Sequence, residues 1–456
     1  MDRMLERFHL DTKLHEYSME HSKAKGMKLN NLNVFFQPES WDILTEMIAH
    51  GEYVTPPSEQ HYKDKATGDD LSYKQAMLYK QQGRKVRELN VLPLLDRVVW
   101  NAFSRIVYDE FEHLMDDDCV SYRRGTGTSK IGDRLQKELV RMWKYDGVKG
   151  DFEKFFDRVP IEVIDECFEM MSNACPSAIW KPIIDCYHDH RLIVNGEIIE
   201  AYTSLRQGNP MSTILANLIL RDIDAEMKKF DVIYLRYSDD FVIIGKEYKQ
   251  AFKRMQEMLK AKGIKLNDEK TEYISHRDWF EFLGFSFKQN KRSVASKTLR
   301  NLNHEIKTRT VSKTRKAHRP ATEKELREMI KDLQWYFFTA FAKSQENFGM
   351  GVYLFGSVNV MHDLIAIENY CKDCLRAAYT NKSNIRGLGY VRRNRYVIDD
   401  KNISHNFNGN IEKTRTHEND LLEKCGWVSL IKMYNDYHTN MDLFENSVFR
   451  MMHGTL

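Results

Sequence analysis

Two adjacent carboxylates interrupt an otherwise apolar segment in the middle of the chain. Residues 232–236 and 241–245 are rich in the β-branched and aromatic residues typical of buried strands. The intervening Tyr-Ser-Asp-Asp therefore predicts a hairpin with Asp239 and Asp240 at its tip. Burying unpaired carboxylates is costly, so the tip is expected to face water, a basic partner or a divalent metal ion. For such a dipeptide taken alone, an ordinary Asp-rich turn is the alternative.

A second acidic element lies upstream, where Asp151 follows Gly150 and opens the apolar segment 152–156. This pattern predicts a carboxylate at the end of a strand, before a helix that begins near Ile161. Asp151 and Asp239 are far enough apart in the chain to meet from neighbouring strands. Such carboxylates suit Mg²⁺, which binds oxygen ligands and keeps positions open for substrate phosphates. The alternative is that Asp151 only caps the helix that follows it.

A third element, residues 204–217, begins as a polar turn and becomes an apolar helix predicted to run to about Met227. Gly208 allows the backbone to approach a ligand closely, and Pro210 fixes the start of the helix. Just upstream, residues 191–199 predict a hairpin through an Asn-Gly turn. The segment thus places a glycine-containing loop directly before a buried helix.

Together these elements resemble the sequence blocks of reverse transcriptases. The Y-x-D-D, D-x-x-x-F-F-D and Q-G-x-P-x-S blocks begin at Tyr237, Asp151 and Gln207, and their chain order matches that family. Four further segments resemble blocks of the bacterial enzymes related to group II intron proteins: residues 83–99, 122–127, 263–271 and 282–285. Seven blocks in one order are far more specific than any single motif, and the resemblance covers most of the chain.

The resemblance implies an α+β, right-hand polymerase fold with a C-terminal extension. It places helical fingers at residues 1–145, a palm with a split βαβ sheet at 146–287, a basic helical thumb at 288–380 and an extension at 381–456. Helices are expected at residues 94–115, 130–145, 323–341, 358–379, 421–433 and 442–452. Residues 386–400 look basic and partly extended. The extension could contact a structured RNA, pack on the thumb or mediate oligomerisation.

The family resemblance also implies a catalytic role for the three aspartates. Asp151 and Asp239 would hold two Mg²⁺ ions, assisted by the Phe152 backbone carbonyl. Asp240 would be structural or a weaker metal ligand. Two such ions lower the pKa of a primer 3′-hydroxyl and neutralise charge on the leaving pyrophosphate.

The incoming dNTP is expected to contact residues from several blocks. Lys85 and Arg87 would reach the triphosphate, where Arg offers a planar fork for phosphate oxygens; a solvated basic strand is the alternative. Gln207 and Gly208 would line the nucleotide pocket. Lys270 would protonate the pyrophosphate leaving group or neutralise it, and the sequence does not separate these two roles.

Phe156 matches the family's steric gate, an aromatic ring that blocks a ribose 2′-hydroxyl and selects dNTPs. The alternative is that Phe156 is a core residue, and the gate role requires that its neighbour Phe155 be the buried ring. Primer or template contacts are implied for Tyr237, Phe282, Leu283 and Gly284.

The positive charge of the chain is local, because the net charge is only +3. Residues 288–319, which follow the primer-grip turn, carry eleven Lys or Arg and one acid, Glu305. This run is expected to track nucleic-acid phosphates with salt-sensitive, sequence-independent affinity, through residues such as Lys313, Arg315 and Lys316. A solvated face is the usual alternative for a charge run.

The seven Cys show no framework spacing, which indicates a reduced compartment. Cys371 and Cys374 form a lone C-x-x-C, which is expected on a thumb helix rather than around zinc. No apolar run of 18 residues and no signal core occurs, so we expect a cytoplasmic protein without a membrane partner.

The sequence departs from the intron pattern at Thr213, where that family usually has Pro, and at Ser238, where it commonly has Ala. We find neither the N-A-x-x-H and V-T-G elements of retron enzymes nor an HNH or RNase H region. The chain resembles the stand-alone, abortive-infection and antiphage-defence reverse transcriptases, which often copy an adjacent noncoding RNA into cDNA. Other readings are a retroelement or intron enzyme, an RNA-dependent RNA polymerase, and an inactive RNA-binding scaffold; homo-oligomerisation is left open.

Overall fold

A computed structural model describes residues 2–10, 38–202, 204–342, 350–380 and 420–453. The helices are α1 (Arg3–His9), α2 (Pro38–Ala49), α3 (Tyr73–Gln81), α4 (Leu94–Phe111), α5 (Thr128–Arg141), α6 (Phe155–Arg158), α7 (Ile161–Ala174), α8 (Trp180–His188), α9 (Met211–Ile219), α10 (Arg221–Met227), α11 (Tyr248–Ala261), α12 (Ser296–Arg309), α13 (Val311–Ala317), α14 (Glu323–Ala342), α15 (Met350–Ser357), α16 (Met361–Thr380), α17 (Leu430–Thr439) and α18 (Met441–His453). The strands are β1 (Ser58–Asp64), β2 (Asp70–Leu71), β3 (Val86–Val91), β4 (Gly147–Asp151), β5 (Arg191–Val194), β6 (Glu197–Glu200), β7 (Val232–Tyr237), β8 (Asp240–Gly245), β9 (Glu272–Ile274), β10 (Phe280–Phe282), β11 (Phe285–Lys288) and β12 (Lys291–Val294).

The chain divides into two compact units. Unit 1 comprises Met1–Thr126 and Tyr145–Ile274, and unit 2 comprises Gly127–Lys144 and Ser275–Leu456. This division does not follow the predicted domain boundaries, because residues 127–144 of the predicted fingers and residues 275–287 of the predicted palm fall in unit 2. The assignment of fingers, palm, thumb and extension stays a prediction.

Unit 1 contains the predicted palm sheet, in the order β7-β8-β4-β9 with every neighbouring pair antiparallel. Helices lie between β4 and β7 and between β8 and β9, which gives the split βαβ arrangement predicted from the sequence. The apolar side chains of β8 are almost fully buried. Burial of each large apolar side chain contributes roughly 1.5–3 kcal/mol relative to exposure. This core fixes the strand ends that carry the acidic residues.

A second sheet in unit 1 contains β3, the strand that carries Arg87 and directly follows Lys85. Strand β1 pairs antiparallel with β2 and β3 and parallel with β5, which forms a hairpin with β6. The predicted Asn-Gly turn is confirmed, since Asn195 and Gly196 both have positive φ, 53° and 86°.

The long apolar helix expected after Gly208 is two helices. α9 ends at Ile219 and α10 begins at Arg221, because Leu220 leaves helical geometry with φ −101° and ψ 3°. The predicted helix start at Ile161 is confirmed. The predicted 94–115 helix is α4 continued by a short 3-10 turn, Glu112–Leu114.

Unit 2 combines the three-stranded sheet β10-β11-β12 with its own helical core. The two predicted thumb helices correspond to α14 and α16, and Cys371 and Cys374 lie buried on α16, where burial raises the pKa of Cys374 to about 11. The helix expected at residues 421–433 is interrupted by a turn at Gly426, whose φ is 95°, and the last predicted helix is α18. The predicted extended segment 386–400 lies outside the described residues.

Within the described ranges, none of the helices combines the length and the apolar character that a membrane crossing requires.

Candidate active site

The predicted nucleotide-binding residues line one open cavity of about 1360 Å³ in unit 1. Its wall is formed by β3 and the residue before it, the end of β4 with the residues after it, the loop before α9, the tip of the β7–β8 hairpin and the 3-10 turn Asp268–Lys270. The cavity is lined by all eight of the following predicted residues: Lys85, Arg87, Asp151, Phe156, Gln207, Gly208, Asp239 and Lys270. Asp240 is not among the lining residues.

Asp151 lies at the end of β4 and is 6% exposed. Its Oδ2 accepts a hydrogen bond from Lys270 Nζ, whereas its Oδ1 is buried without a hydrogen-bond partner. Asp151 caps no helix, since α6 has no side-chain cap. Partial burial of Lys270 opposes its charge, but the bond to Asp151 raises the pKa of Lys270 above its usual value.

Asp239 and Asp240 lie where the predicted hairpin turns. The register pairs Asp240 with Asp151 across β8 and β4, and the Phe152 N–H donates to the Asp239 carbonyl at 3.1 Å. Burial, followed by repulsion from Asp151, raises the pKa of Asp239. Partial removal from water and repulsion from Asp239 and Asp151 raise the pKa of Asp240 to about 6, although its side chain reaches solvent. This mutual repulsion indicates that the three carboxylates share one electrostatic site.

The carboxylates fit a site for Mg²⁺ that substrate completes. In the described part of the chain, no group of three His, Cys, Asp or Glu side chains is arranged to hold a metal ion alone. Mg²⁺ is commonly held by one or two carboxylates together with substrate phosphates, so two aspartates suffice. The unpartnered Oδ1 of Asp151 and the raised pKa of Asp239 both mark a place where a cation would be favourable.

The two adjacent phenylalanines separate into a core ring and a cavity ring. Phe155 is 2% exposed, whereas Phe156 is half-buried and lines the cavity. Their rings meet edge to face with centroids 5.8 Å apart. This arrangement is the one that the steric-gate hypothesis for Phe156 requires.

The loop that contains Gly208 is hydrogen-bonded to β3. The carbonyl of Gln207 accepts from the Asn90 N–H at 2.6 Å, and a Cβ on Gly208 would lie 2.9 Å from the Asn90 carbonyl oxygen. Gly208, with φ 109°, is therefore required by a neighbouring strand rather than only by a ligand. The Gln207 side chain donates to Asp157 Oδ1 at 3.2 Å.

Lys65 and Asp157 are among the charged residues of the cavity that the sequence analysis missed. Lys65 follows β1, and its pKa is lowered by partial burial and by repulsion from Lys270, Arg87 and Lys85. The polar sequence of β1 did not indicate that it forms a strand beside β3. Asp157, whose pKa is raised by burial and by Glu88, is the last letter of the D-x-x-x-F-F-D block, which was the available signal.

The predicted primer and template residues fall in both units. In unit 1, the Tyr237 ring lies 6.1 Å from the Tyr122 ring. In unit 2, Leu283 and Gly284 form the β10–β11 turn, with φ 48° and 83°, while Phe282 is buried. Gly284 is exposed at this turn, whereas the Phe282 ring is not.

Part of the predicted basic run is neutralised within unit 2. Lys313 donates to Asp332 at 2.9 Å, and its contact with primer or template stays a prediction. Arg309 also pairs with Asp332, Arg319 pairs with Glu325, and Arg292 is buried against Asp133. By contrast, Arg315 and Lys316 are exposed on α13.

Comparison with known families agrees with this geometry. Residues 79–287 match the family described as reverse transcriptase (RNA-dependent DNA polymerase). Residues 79–287, somewhat less than half of the chain, therefore resemble a reverse transcriptase domain. The match classes this domain as an RNA-directed DNA polymerase, a nucleotidyltransferase, and the predicted α+β right-hand polymerase fold is confirmed. No curated protein sequence is significantly similar to the chain.

Three solved structures show distant similarity. A truncated apo telomerase from Candida tropicalis is 16% identical with a TM-score of 0.35, over 43% of this chain and 45% of that chain. A telomerase from Candida albicans in complex with a telomeric RNA fragment is 11% identical with a TM-score of 0.38, over 73% and 63%. A loop-deletion mutant of an RNA-dependent RNA polymerase from a human picobirnavirus is 15% identical with a TM-score of 0.38, over 54% and 54%. The chain thus spans less than two thirds of each of these structures.

Proposed function

We propose that this protein synthesises cDNA on an RNA template from dNTPs, by nucleotidyl transfer assisted by two Mg²⁺ ions. The observation that carries the proposal is the convergence of Asp151 and Asp239 from adjacent palm strands on a cavity that Lys85, Arg87 and Lys270 also line. When bound, the metal ions would activate the primer 3′-hydroxyl and stabilise the leaving pyrophosphate. The experiment is primer extension on a defined RNA template with dNTPs and Mg²⁺; absence of extension by the purified protein would refute the proposal.

The residues of the chain have separate tasks in this reaction. Asp151 and Asp239 would hold the metal ions, which explains why an unpartnered carboxylate oxygen is buried there. Lys85, directly before β3, and Arg87, on β3, both line the cavity and would bind the triphosphate. Lys270, already in contact with Asp151, provides positive charge beside the reacting phosphates.

Phe156→Ala is expected to relax discrimination against rNTPs. Because Phe156 is the half-buried ring facing the cavity, removing it opens space beside C2′ of a bound nucleotide. The measurement is the ratio of kcat/KM for a dNTP to that for the matching rNTP, which should fall about 10-fold or more, on the scale of ~1.4 kcal/mol per factor of ten. Phe156→Tyr is the matched control, since it keeps the ring. An unchanged ratio in Phe156→Ala would make the ring a core residue and reopen rNTP use.

Nucleic acid is expected to bind the exposed basic face of α12 and α13. Lys297, Arg300 and Lys307 recur at helical spacing on α12 and are exposed, and Arg315 and Lys316 continue the exposed charge on α13. We define these five residues as the basic face. The basic face lies in unit 2. It is smaller than the basic run predicted from the sequence, because it leaves out Arg309 and Lys313, which pair with Asp332.

Neutralising three residues of the basic face, by Lys297→Gln, Arg300→Gln and Lys307→Gln, is expected to weaken binding of unrelated sequences by similar factors. The slope of log affinity against log salt should become shallower by up to about 0.9 per lost phosphate contact on a B-form duplex. The matched control changes three exposed lysines of α11 to Gln, namely Lys249, Lys253 and Lys260. Equal salt slopes in the two variants would show that the basic face is only solvated.

We further infer that the natural template is a structured noncoding RNA and that the enzyme acts in the cytoplasm in antiphage defence. Support comes from the resemblance to stand-alone bacterial enzymes and from the departures at Thr213 and Ser238 from the intron pattern. Sequencing of the RNA and cDNA that copurify with the protein tests the template. Phage plating on cells with the wild type or Asp239→Asn tests the role; equal plating would refute it.

A further inference from the structure

A buried ion pair lies next to the Tyr-Ser-Asp-Asp turn, and the chemistry assigned above does not use it. The side chains of Arg236 and Asp224 are both 0% exposed. The guanidinium donates from Nε to Asp224 Oδ1 at 2.7 Å and from Nη2 to Oδ2 at 2.5 Å. The Tyr234 hydroxyl donates to the same carboxylate at 2.8 Å. A bidentate pair of hydrogen bonds of this kind fixes the orientation of the guanidinium plane.

The rest of the guanidinium is directed at the backbone of the turn and of α9. Nη1 of Arg236 donates to the Ser238 carbonyl at 3.1 Å, and Nη2 donates to the Asn217 carbonyl at 3.3 Å. The main chain of Arg236 is held too, since its N–H donates to the Asp118 carbonyl and its carbonyl accepts from the Val120 N–H, both at 2.9 Å. Arg236 therefore links the turn by hydrogen bonds to α9 and to the segment of residues 118–120.

The turn needs support because its backbone conformation is uncommon. Ser238 has a φ of 59°, in the region that favours glycine. Non-glycine residues persist there when the surrounding structure holds them. The carbonyl of Asp239, next in the chain, is held by the Phe152 N–H. Two successive carbonyls of the turn are thus fixed, one through Arg236 and one through Phe152.

We propose that Arg236, oriented by Asp224, is a positioning residue that sets the direction of the Asp239 carboxylate by holding the Ser238 carbonyl. The inference rests on the proposed polymerase function for its kinetic consequence, but the geometry of the turn can be measured without catalysis. Arg236 touches neither substrate nor metal in this scheme. Its effect is carried entirely by the backbone of residues 238–239.

Arg236→Lys is the first test. Lysine keeps the positive charge beside Asp224, but its single ammonium group cannot reach both Asp224 and the Ser238 carbonyl. We expect kcat for dNTP incorporation to fall about 100-fold, as for a misplacement of catalytic groups by about 1 Å, with KM for the dNTP changed less than about threefold. The matched control is Tyr234→Phe, which removes a different hydrogen bond from the same carboxylate and should keep kcat within about threefold of wild type.

A double replacement, Arg236→Met with Asp224→Leu, keeps the proposal testable if Arg236→Lys does not fold. Apolar replacement of both partners leaves no unpaired buried charge, so the fold is expected to survive. The Ser238 carbonyl nevertheless loses its donor, and kcat should again fall about 100-fold. Retention of wild-type kcat by this folded double variant would overturn the proposal, as would a loss of kcat in Tyr234→Phe equal to that in Arg236→Lys.

Binding of Mn²⁺, followed by electron paramagnetic resonance, supplies a readout that does not depend on turnover. The Arg236 variants should bind Mn²⁺ more weakly than Tyr234→Phe, because Asp239 is misdirected. Unchanged Mn²⁺ binding together with unchanged kcat would refute the positioning role. If wild type fails to extend a primer but the Arg236 variants still bind Mn²⁺ more weakly, the polymerase proposal fails while the positioning of Asp239 stands.

Discussion

Asp239→Asn combined with Asp240→Asn is expected to abolish dNTP incorporation, with a loss of at least about 1000-fold, while the protein stays folded. Amides keep the volume of the carboxylates but not the charge that would hold the proposed metal ions, which would supply several kcal/mol of transition-state stabilisation. A loss of ~4 kcal/mol corresponds to this factor. The measurement is primer extension in Mg²⁺ under single-turnover conditions.

Thermal unfolding of the same variant is the control for folding. Burial, followed by repulsion from the other carboxylates, raises the pKa of both Asp239 and Asp240, so removing two charges should not lower the melting temperature. Because Asp239 lines the cavity and Asp240 does not, Asp239→Asn alone should account for most of the lost activity. Near-wild-type incorporation by the double variant in Mg²⁺ would remove these residues from catalysis.

The sequence predicted the palm strands well because their burial is visible in the order of apolar and polar residues. Strand β8 is buried on both faces and reads as a continuous apolar run, and the Asn195-Gly196 turn has a backbone requirement that few residue pairs meet. Both signals depend on local physics that a single sequence displays. The position of Asp151 at a strand end and of Asp239 in a turn follows from them.

Other parts could not be predicted because they depend on tertiary partners. Strand β1, with the sequence SEQHYKD, has little apolar content, and it forms because β3 and β5 pair with it. Lys65, at its end, was therefore not recognised beside the cavity. The break at Leu220 between α9 and α10 likewise has no Gly or Pro to announce it.

Charge shows the same limit. The run of cations after residue 288 was visible, but the sequence did not reveal that Arg292 and Lys313 have acidic partners far along the chain. Arg236 was predicted to lie on a strand, and it does. The sequence did not reveal that it forms a fully buried ion pair with Asp224. Residue type and spacing suggest which groups carry charge, whereas only the fold decides which charges remain available to a ligand.

Replacing Lys270 tests the role of the cation that contacts Asp151. Lys270→Met is expected to lower kcat about 100-fold. A loss of this size lies within the range observed when a catalytic proton donor or a preorganised charge is removed. The structure favours the charge role, because the ammonium group already contacts Asp151 Oδ2. Lys270→Arg keeps a permanent positive charge but cannot give up a proton near neutral pH. We therefore expect Arg to recover most of the activity that Met loses.

The same two variants also give the results that would contradict the charge role of Lys270. If Lys270→Arg is as inactive as Lys270→Met while both bind primer-template as wild type does, the ammonium group acts as the proton donor to pyrophosphate and the charge role is wrong. If neither variant loses activity, Lys270 serves only to neutralise Asp151 before substrate binds. Single-turnover kcat at saturating dNTP distinguishes these results, because it separates the chemical step from binding.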